Sequence, residues 1–285
     1  MRRILIPLLL LLAAVALIAG GLALRADYQQ TVKQTAPPEP QGVQVRYQPL
    51  RSPDDIVVLE DERVPPITYR GNISLAGLPV AEKKEKFFAL MIPQVLLVKQ
   101  ELADLRDEVR RIARTGEPSR EDVAWIEGML DRYRADDVEQ LLVRLEDHPT
   151  SIVLAQAALE SGWGTSRFFR EGNNVFGVWS FDENEPRLAA GETRGDRTIW
   201  VKRYPSVRGS IADYFVTLGR GPYRDFRRAR QAEEDPLALI EHLHRYSELG
   251  DEYVRRLALT IRSNQLHRFD RYRLDGADLL AMEGR

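Results

Sequence analysis

The stretch Ala155–Trp179, AQAALESGWGTSRFFREGNNVFGVW, begins as an apolar helix and breaks into Ser-Gly-Trp-Gly directly after a carboxylate. Just upstream, HPTS offers Thr150 or Ser151 as the helix cap. Residues three and four apart share a helix face, so Glu160 falls on a stripe otherwise made of Val153, Gln156 and Ala157. That placement turns the carboxyl toward the apolar side. Apolar surroundings favour the neutral acid, which is how a glutamic acid becomes a proton donor near neutral pH. The competing reading is a helix-terminal Glu that reaches solvent or pairs with Arg167 or Arg170.

Working outward, the sequence predicts mostly helix. Residues 81–115 carry helical periodicity with Pro93 as an expected kink, and Gly116 with Pro118 ends the run. Ser119 is placed to cap REDVAWIEGMLDRY, and DDVEQLLVRLE follows as a second amphipathic segment. After Trp179 the pattern changes. GETRGDRTIWVKRYPS alternates around a Gly-Asp turn signal and reads as a short hairpin. Helical patterning returns in VRGSIADYFVTLGRG, DPLALIEHLHRYSEL and DEYVRRLALTIRSNQL. The expected fold class is mainly α with a small β lobe (α+β), with a helical extension over 80–148 packing on a domain over 149–285.

The N-terminal part reads differently. Ile4–Leu24 has no charge over 21 residues and follows Arg2 and Arg3, which predicts a transmembrane segment with the remainder outside the cytoplasm. Length favours a retained signal anchor over a cleaved signal peptide for residues 1–25. Localisation at the cytoplasmic membrane, with the domain in the periplasm, is the resulting expectation. Residues 26–79 are proline-rich and read as an extended tether, with DDIVVLE as a possible short strand.

Composition narrows the chemistry. The chain has 285 residues, 44% hydrophobic and 29% charged, with a net charge of -2. Its interspersed charges advertise no nucleic-acid partner. There is no cysteine, which excludes disulfides, thiolate metal sites and cysteine nucleophiles. His242 and His244 are two apart and would point to different helix faces, and with His148 and His267 they form no ligand pattern. No metal and no cofactor are expected.

Three blocks, AQAALESGWG, Asn173–Trp179 (NNVFGVW) and Tyr204–Tyr214 (YPSVRGSIADY), occur in the order seen in the glucosaminidases of glycoside hydrolase family 73. With GPYRDF and YSELGDEYVRRL behind them, the stretch from Pro149 to Leu266 resembles that family, and especially its Bax-like branch of Gram-negative bacteria. The resemblance implies a lysozyme-like domain and an endo-β-N-acetylglucosaminidase that cleaves the β-1,4 bond after N-acetylglucosamine in peptidoglycan glycan strands. Lytic transglycosylases share the Glu-Ser pair but continue into a Gly-Leu-Met-Gln block, which this chain lacks.

Under that resemblance Glu160 matches the general acid. A second carboxylate is sought among Asp182, Glu183, Glu185, Glu192 and Asp196; Glu192 is favoured because family members carry a glutamate on the β lobe some thirty residues after the acid, next to a turn signal. A tyrosine near the scissile bond is also implied, with Tyr223 the first choice and Tyr204 the second. Trp163, Phe176, Trp179 and Trp200 can serve as sugar platforms or as core, and Tyr214 raises the same ambiguity. Asn173 and Asn174 are expected to brace the turn under the cleft, with contact to an N-acetyl group as a further role. A noncatalytic wall-binding module and an envelope scaffold docking through the long helix are the alternative functions.

Overall fold

The structure is a computed structural model that describes residues 40–276 apart from 41, 195 and 196, with the side chains of 192–194 and 197 outside that description. The chain first forms β1 (Arg46–Pro49), β2 (Arg63–Val64) and β3 (Ile67–Arg70), then α1 (Val80–Arg114), α2 (Arg120–Tyr133), α3 (Val138–Arg144), α4 (Thr150–Ser161) and α5 (Arg167–Gly172). A hairpin of β4 (Arg187–Arg194) and β5 (Arg197–Lys202) interrupts the helices. These resume as α6 (Val207–Arg220), α7 (Arg224–Ala229), α8 (Pro236–Leu239), a 3-10 turn over Ile240–Tyr246 and α9 (Asp251–Ser263). A 3-10 turn over Leu266–Arg271 and the short β6 (Arg273–Leu274) close the described chain. The observed class is mainly helical with small sheets.

The long helix α1 is the spine. From Phe87 to Val98 every residue is buried, so this stretch is apolar all round, as a helix enclosed by others must be. Pro93 lies inside it without ending it. Gln94 is the polar exception, and both ends of its amide are bonded. Thr68 Oγ1 donates to Gln94 Oε1 at 2.8 Å, and Gln94 Nε2 donates to the carbonyl of Ile67 at 2.8 Å, which ties β3 to α1. A buried ion pair between Glu101 and Arg208 ties α1 to α6. Ser119 caps α2 as expected, in a capping box with Asp122.

The tether expected over 26–79 is corrected by its described part. Val43, Leu50, Ile56, Val64, Ile67, Tyr69, Ile73 and Leu75 are buried in the same core as the helices. These apolar residues are spaced for neither a helix nor a regular strand, and the prolines sit at turns between short strands, so the segment carries no periodic signal. DDIVVLE is not a strand: Pro53–Asp55 is a 3-10 turn, in which the Asp55 carboxylate accepts from the N–H groups of Arg51 and Ser52 at 2.7 and 2.8 Å. The strands lie on either side of it. β1 pairs with β3 and β2 with β6, both parallel, and β4 pairs with β5 antiparallel. The helical extension and the domain after it likewise share one core. Among the described residues no helix is long and apolar enough to cross a membrane, and the 4–24 run lies outside them.

Candidate active site

Helix α4 positions Glu160. It is capped neither by Thr150 nor by Ser151. Pro149 is the boundary residue, and Asp270, from the turn before β6, reaches in from a distant part of the chain. The Ser151 N–H and hydroxyl both donate to the Asp270 carboxylate, at 2.7 and 2.8 Å. Ile152–Ala158 is buried throughout, and the helix ends at Gly162, whose left-handed φ of 58° permits the sharp turn after the carboxylate. The sequence SGWG is therefore a helix stop that leaves Glu160 in the last turn.

Glu160 is half-buried, and burial raises its pKa above the ordinary carboxylic range; the Tyr253 hydroxyl, its hydrogen-bonding partner, offsets part of that rise. Tyr246 and Tyr223 also face its charge, and both phenols are pushed upward chiefly by their own burial. The three tyrosines form a wall. Tyr246 stacks on Tyr253 at 5.5 Å between ring centroids, with Tyr223 at 6.0 Å from Tyr246. The arginines that could have paired with Glu160 are engaged elsewhere: Arg167 with Glu171 and the carbonyl of Ala189, Arg170 with Glu171. A carboxyl held so, beside phenols rather than cations, is suited to hold and deliver a proton.

Of the sequence-derived residues, Tyr223 joins Glu160. Phe176 and Tyr214 are buried and stacked on each other at 4.2 Å, which makes them core under the site. Trp163 packs edge-on against Phe87 and Phe88, both at 5.6 Å, with Lys84 over its ring, so it braces α1. Asn173 ends α5 in the left-handed region and donates to the carbonyl of Tyr204 at 3.3 Å. Asn174 is also buried. Its Nδ2 donates to the carbonyls of Val178 and Lys202 at 3.0 and 2.9 Å, and its Oδ1 accepts from the Val178 N–H at 3.0 Å. Both asparagines are thus fastened to the backbone of the hairpin base.

A second patch lies on the hairpin side. Trp179 and Phe181 are 43% and 86% exposed, an arrangement that leaves two aromatic faces to solvent. They line a pocket of ≈ 410 Å³ with Asp182, Glu185, Lys202 and Asp213. Of the lining residues, Lys202 pairs with Asp213 at 3.1 Å and Glu185 at 3.6 Å, and Asp213 also accepts from the Tyr204 hydroxyl at 2.6 Å. Burial and the Asp213 carboxylate push the Tyr204 phenol upward. Among the other acidic candidates, Glu183 pairs with Arg187 at 3.8 Å, and Asp182 accepts from the Asn184 N–H. Glu192 lies on β4 with its side chain outside the described ones, and Asp196 is outside them altogether. Among the described residues no group of three or more His, Cys, Asp or Glu is placed to hold a metal ion.

Sequence reasoning missed Tyr246, Tyr253, Gln156 and Phe181 as site residues. Gln156 was visible as the polar residue four before Glu160 on its stripe, and the two tyrosines as a pair seven apart in YSELGDEY.

Residues 137–266 match the family model Glucosaminidase, described as mannosyl-glycoprotein endo-beta-N-acetylglucosaminidase. Over 132 residues the chain is 34% identical to Protein bax of Escherichia coli (strain K12), a match covering 44% of this chain and 46% of that protein. Over 103 residues it is 35% identical to the Peptidoglycan hydrolase FlgJ of Salmonella typhimurium, covering 32% of this chain and 33% of the relative. The chain thus spans less than half the length of these curated relatives. Among solved structures, the catalytic domain of the autolysin Auto from Listeria monocytogenes is 22% identical with a TM-score of 0.38, covering 59% of this chain and 97% of that one. The glycoside hydrolase domain of Salmonella typhimurium FlgJ is 25% identical with a TM-score of 0.35, covering 49% and 87%.

Proposed function

We propose, from the match of residues 137–266 to the glucosaminidase family model, that the chain is a peptidoglycan hydrolase of the Bax-like branch, an endo-β-N-acetylglucosaminidase with Glu160 as its general acid. The observation that carries this reading is the Glu160 carboxyl, half-buried at a helix end, raised in pKa by burial and walled by Tyr223, Tyr246 and Tyr253. Glycoside hydrolysis needs such a group: the protonated carboxyl gives its proton to the glycosidic oxygen as the bond to C1 breaks, leaving a carboxylate and an oxocarbenium-like sugar. Water then adds to C1. In the two-carboxylate form Glu192 takes the proton from that water; in the substrate-assisted form the neighbouring N-acetyl oxygen attacks C1, with Tyr223 beside it.

The exposed faces of Trp179 and Phe181 support a role in holding the glycan strand. We place the protein at the cytoplasmic membrane through residues 4–24, with the domain in the periplasm, on the strength of their uncharged length.

The test is Glu160→Gln assayed on purified cell walls, with analysis of the newly exposed reducing ends. The variant should fold and bind wall but lose on the order of 100-fold or more of the activity. The wild-type protein should expose N-acetylglucosamine ends. Near-full activity in the variant would remove Glu160 from the role, and wall binding without cleavage by the wild type would select a noncatalytic module.

A further inference from the structure

Behind Glu160 runs a row of buried polar side chains that the hydrolytic chemistry above does not use. His148 precedes α4, Gln156 lies on α4, Tyr214 on α6 and Tyr253 on α9, and all four are buried. His148 Nε2 is 2.9 Å from the Tyr214 hydroxyl, which donates to Gln156 Oε1 at 2.7 Å. Gln156 Nε2 donates to the Tyr253 hydroxyl at 3.1 Å, and Tyr253 is the partner of Glu160. From His148 to Tyr253 each link is a single hydrogen bond, so two proton orders use every donor along the row. Either every donor points toward Glu160, or the amide of Gln156 is flipped and every donor points toward His148.

The choice is made at the far end. A row pointing at His148 needs Nε2 bare and the proton on Nδ1, and Nδ1 has no hydrogen-bond partner among the described residues. A buried N–H without an acceptor is costlier than a row whose every proton is used. A second proton on the ring is opposed first by burial and then by the charges of Arg230 and Lys99. The aromatic rings packed against it are those of Tyr214, Phe215 and Phe226. Arg230 in turn faces Glu146 and Asp147, and Lys99 pairs with Asp147 at 3.0 Å.

We propose that His148, Tyr214 and Gln156 are positioning residues: neutral His148, carrying its proton on Nε2, polarises the row so that the Tyr253 hydroxyl always donates to one oxygen of Glu160. The other oxygen must then hold the acid proton. This rests on the reading of Glu160 as the general acid. The reverse order would make Glu160 donate to Tyr253 and leave no proton for the leaving oxygen. After transfer, the same Tyr253 proton stabilises the carboxylate that remains.

Two measurements on the full chain test this. In 15N-histidine NMR of the wild-type protein, His148 should show a protonated Nε2 and a bare Nδ1 from pH 5 to 8; a protonated Nδ1 overturns the proposal. Tyr214→Phe keeps the ring stack on Phe176 and removes the hydroxyl, freeing the Gln156 amide to turn. Its kcat should fall roughly tenfold with KM held within about twofold. The alkaline limb of its pH profile should move to higher pH, because the carboxylate loses donor support. That limb reports Glu160 among its neighbours Tyr223, Tyr246 and Tyr253. A folded Tyr214→Phe with unchanged kcat and limb overturns the proposal, and where that variant does not fold the NMR result decides alone. A fully active Glu160→Gln would sink the acid assignment, whereas the tautomer of His148 is read without any turnover.

Discussion

Removing the amide of Asn174 should loosen the hairpin base measurably. In Asn174→Ala three hydrogen bonds disappear. The Val178 carbonyl keeps a partner, since the Lys202 N–H donates to it at 2.9 Å. The Val178 N–H and the Lys202 carbonyl lose the partner that Asn174 gave them, beside a buried side chain. At about 1–3 kcal/mol for each orphaned group, and with Val178 partly open to water, the expected loss is about 2–4 kcal/mol. For a domain of this size that corresponds to a fall in Tm of roughly 4–16 °C. Urea unfolding followed by tryptophan fluorescence is a suitable assay, because Trp179 and Trp200 both lie on the affected segment. Hydrolysis should fall as well, through displacement of β4 and β5 relative to Glu160. A loss below about 1 kcal/mol would mean that water replaces the amide freely and that Asn174 does not hold the hairpin.

Glu160 itself should cost stability. Its folded pKa is raised above the ordinary value of 4.5 by burial, so the folded state favours the proton and stability declines as pH climbs through the folded pKa. Glu160→Gln should therefore unfold at higher urea than the wild type at pH 7, an advantage that shrinks below pH 4.5; equal differences at both pH values would contradict the burial argument. Trp179→Ala with Phe181→Ala should raise the wall concentration giving half-maximal rate several-fold while shifting stability by less than about 1 kcal/mol in total, since both rings are exposed. An unchanged concentration dependence would count against a glycan platform there.

Much of the helical part was legible because its signals are local. The Ser119 cap, the stop after Glu160, the apolar stripe and the alternation in β4 and β5 each sit within a few residues of the structure they specify. The 43–75 segment was not, since its burial depends on partners far along the chain such as Gln94 and Leu274. The cap of α4 hid for the same reason, supplied by Asp270 from 119 positions away. Within the site, Glu160 and Tyr223 could be named from motif and resemblance. Tyr246 and Tyr253 could not be placed, because their approach to Glu160 is set by how the 3-10 turn over Ile240–Tyr246 and α9 pack against the rest of the chain. Trp163 and Phe176 show the opposite difficulty: an aromatic beside a catalytic motif is as readily a brace as a platform.

The pairing of β2 with β6 joins the opening of the described chain to its close, Arg63 beside Arg273 and Val64 beside Leu274. A ribosome delivers these partners some two hundred residues apart, so β2 waits without its companion until Arg273 and Leu274 have been made, whereas β1 finds β3 at once. Helices such as α1 can form early, but the closing contact cannot. A fragment trimmed to residues 137–266 would accordingly leave Leu75, Ile67 and Val64 missing from the shared core, and a chain lacking Arg273 and Leu274 would leave β2 without its strand partner.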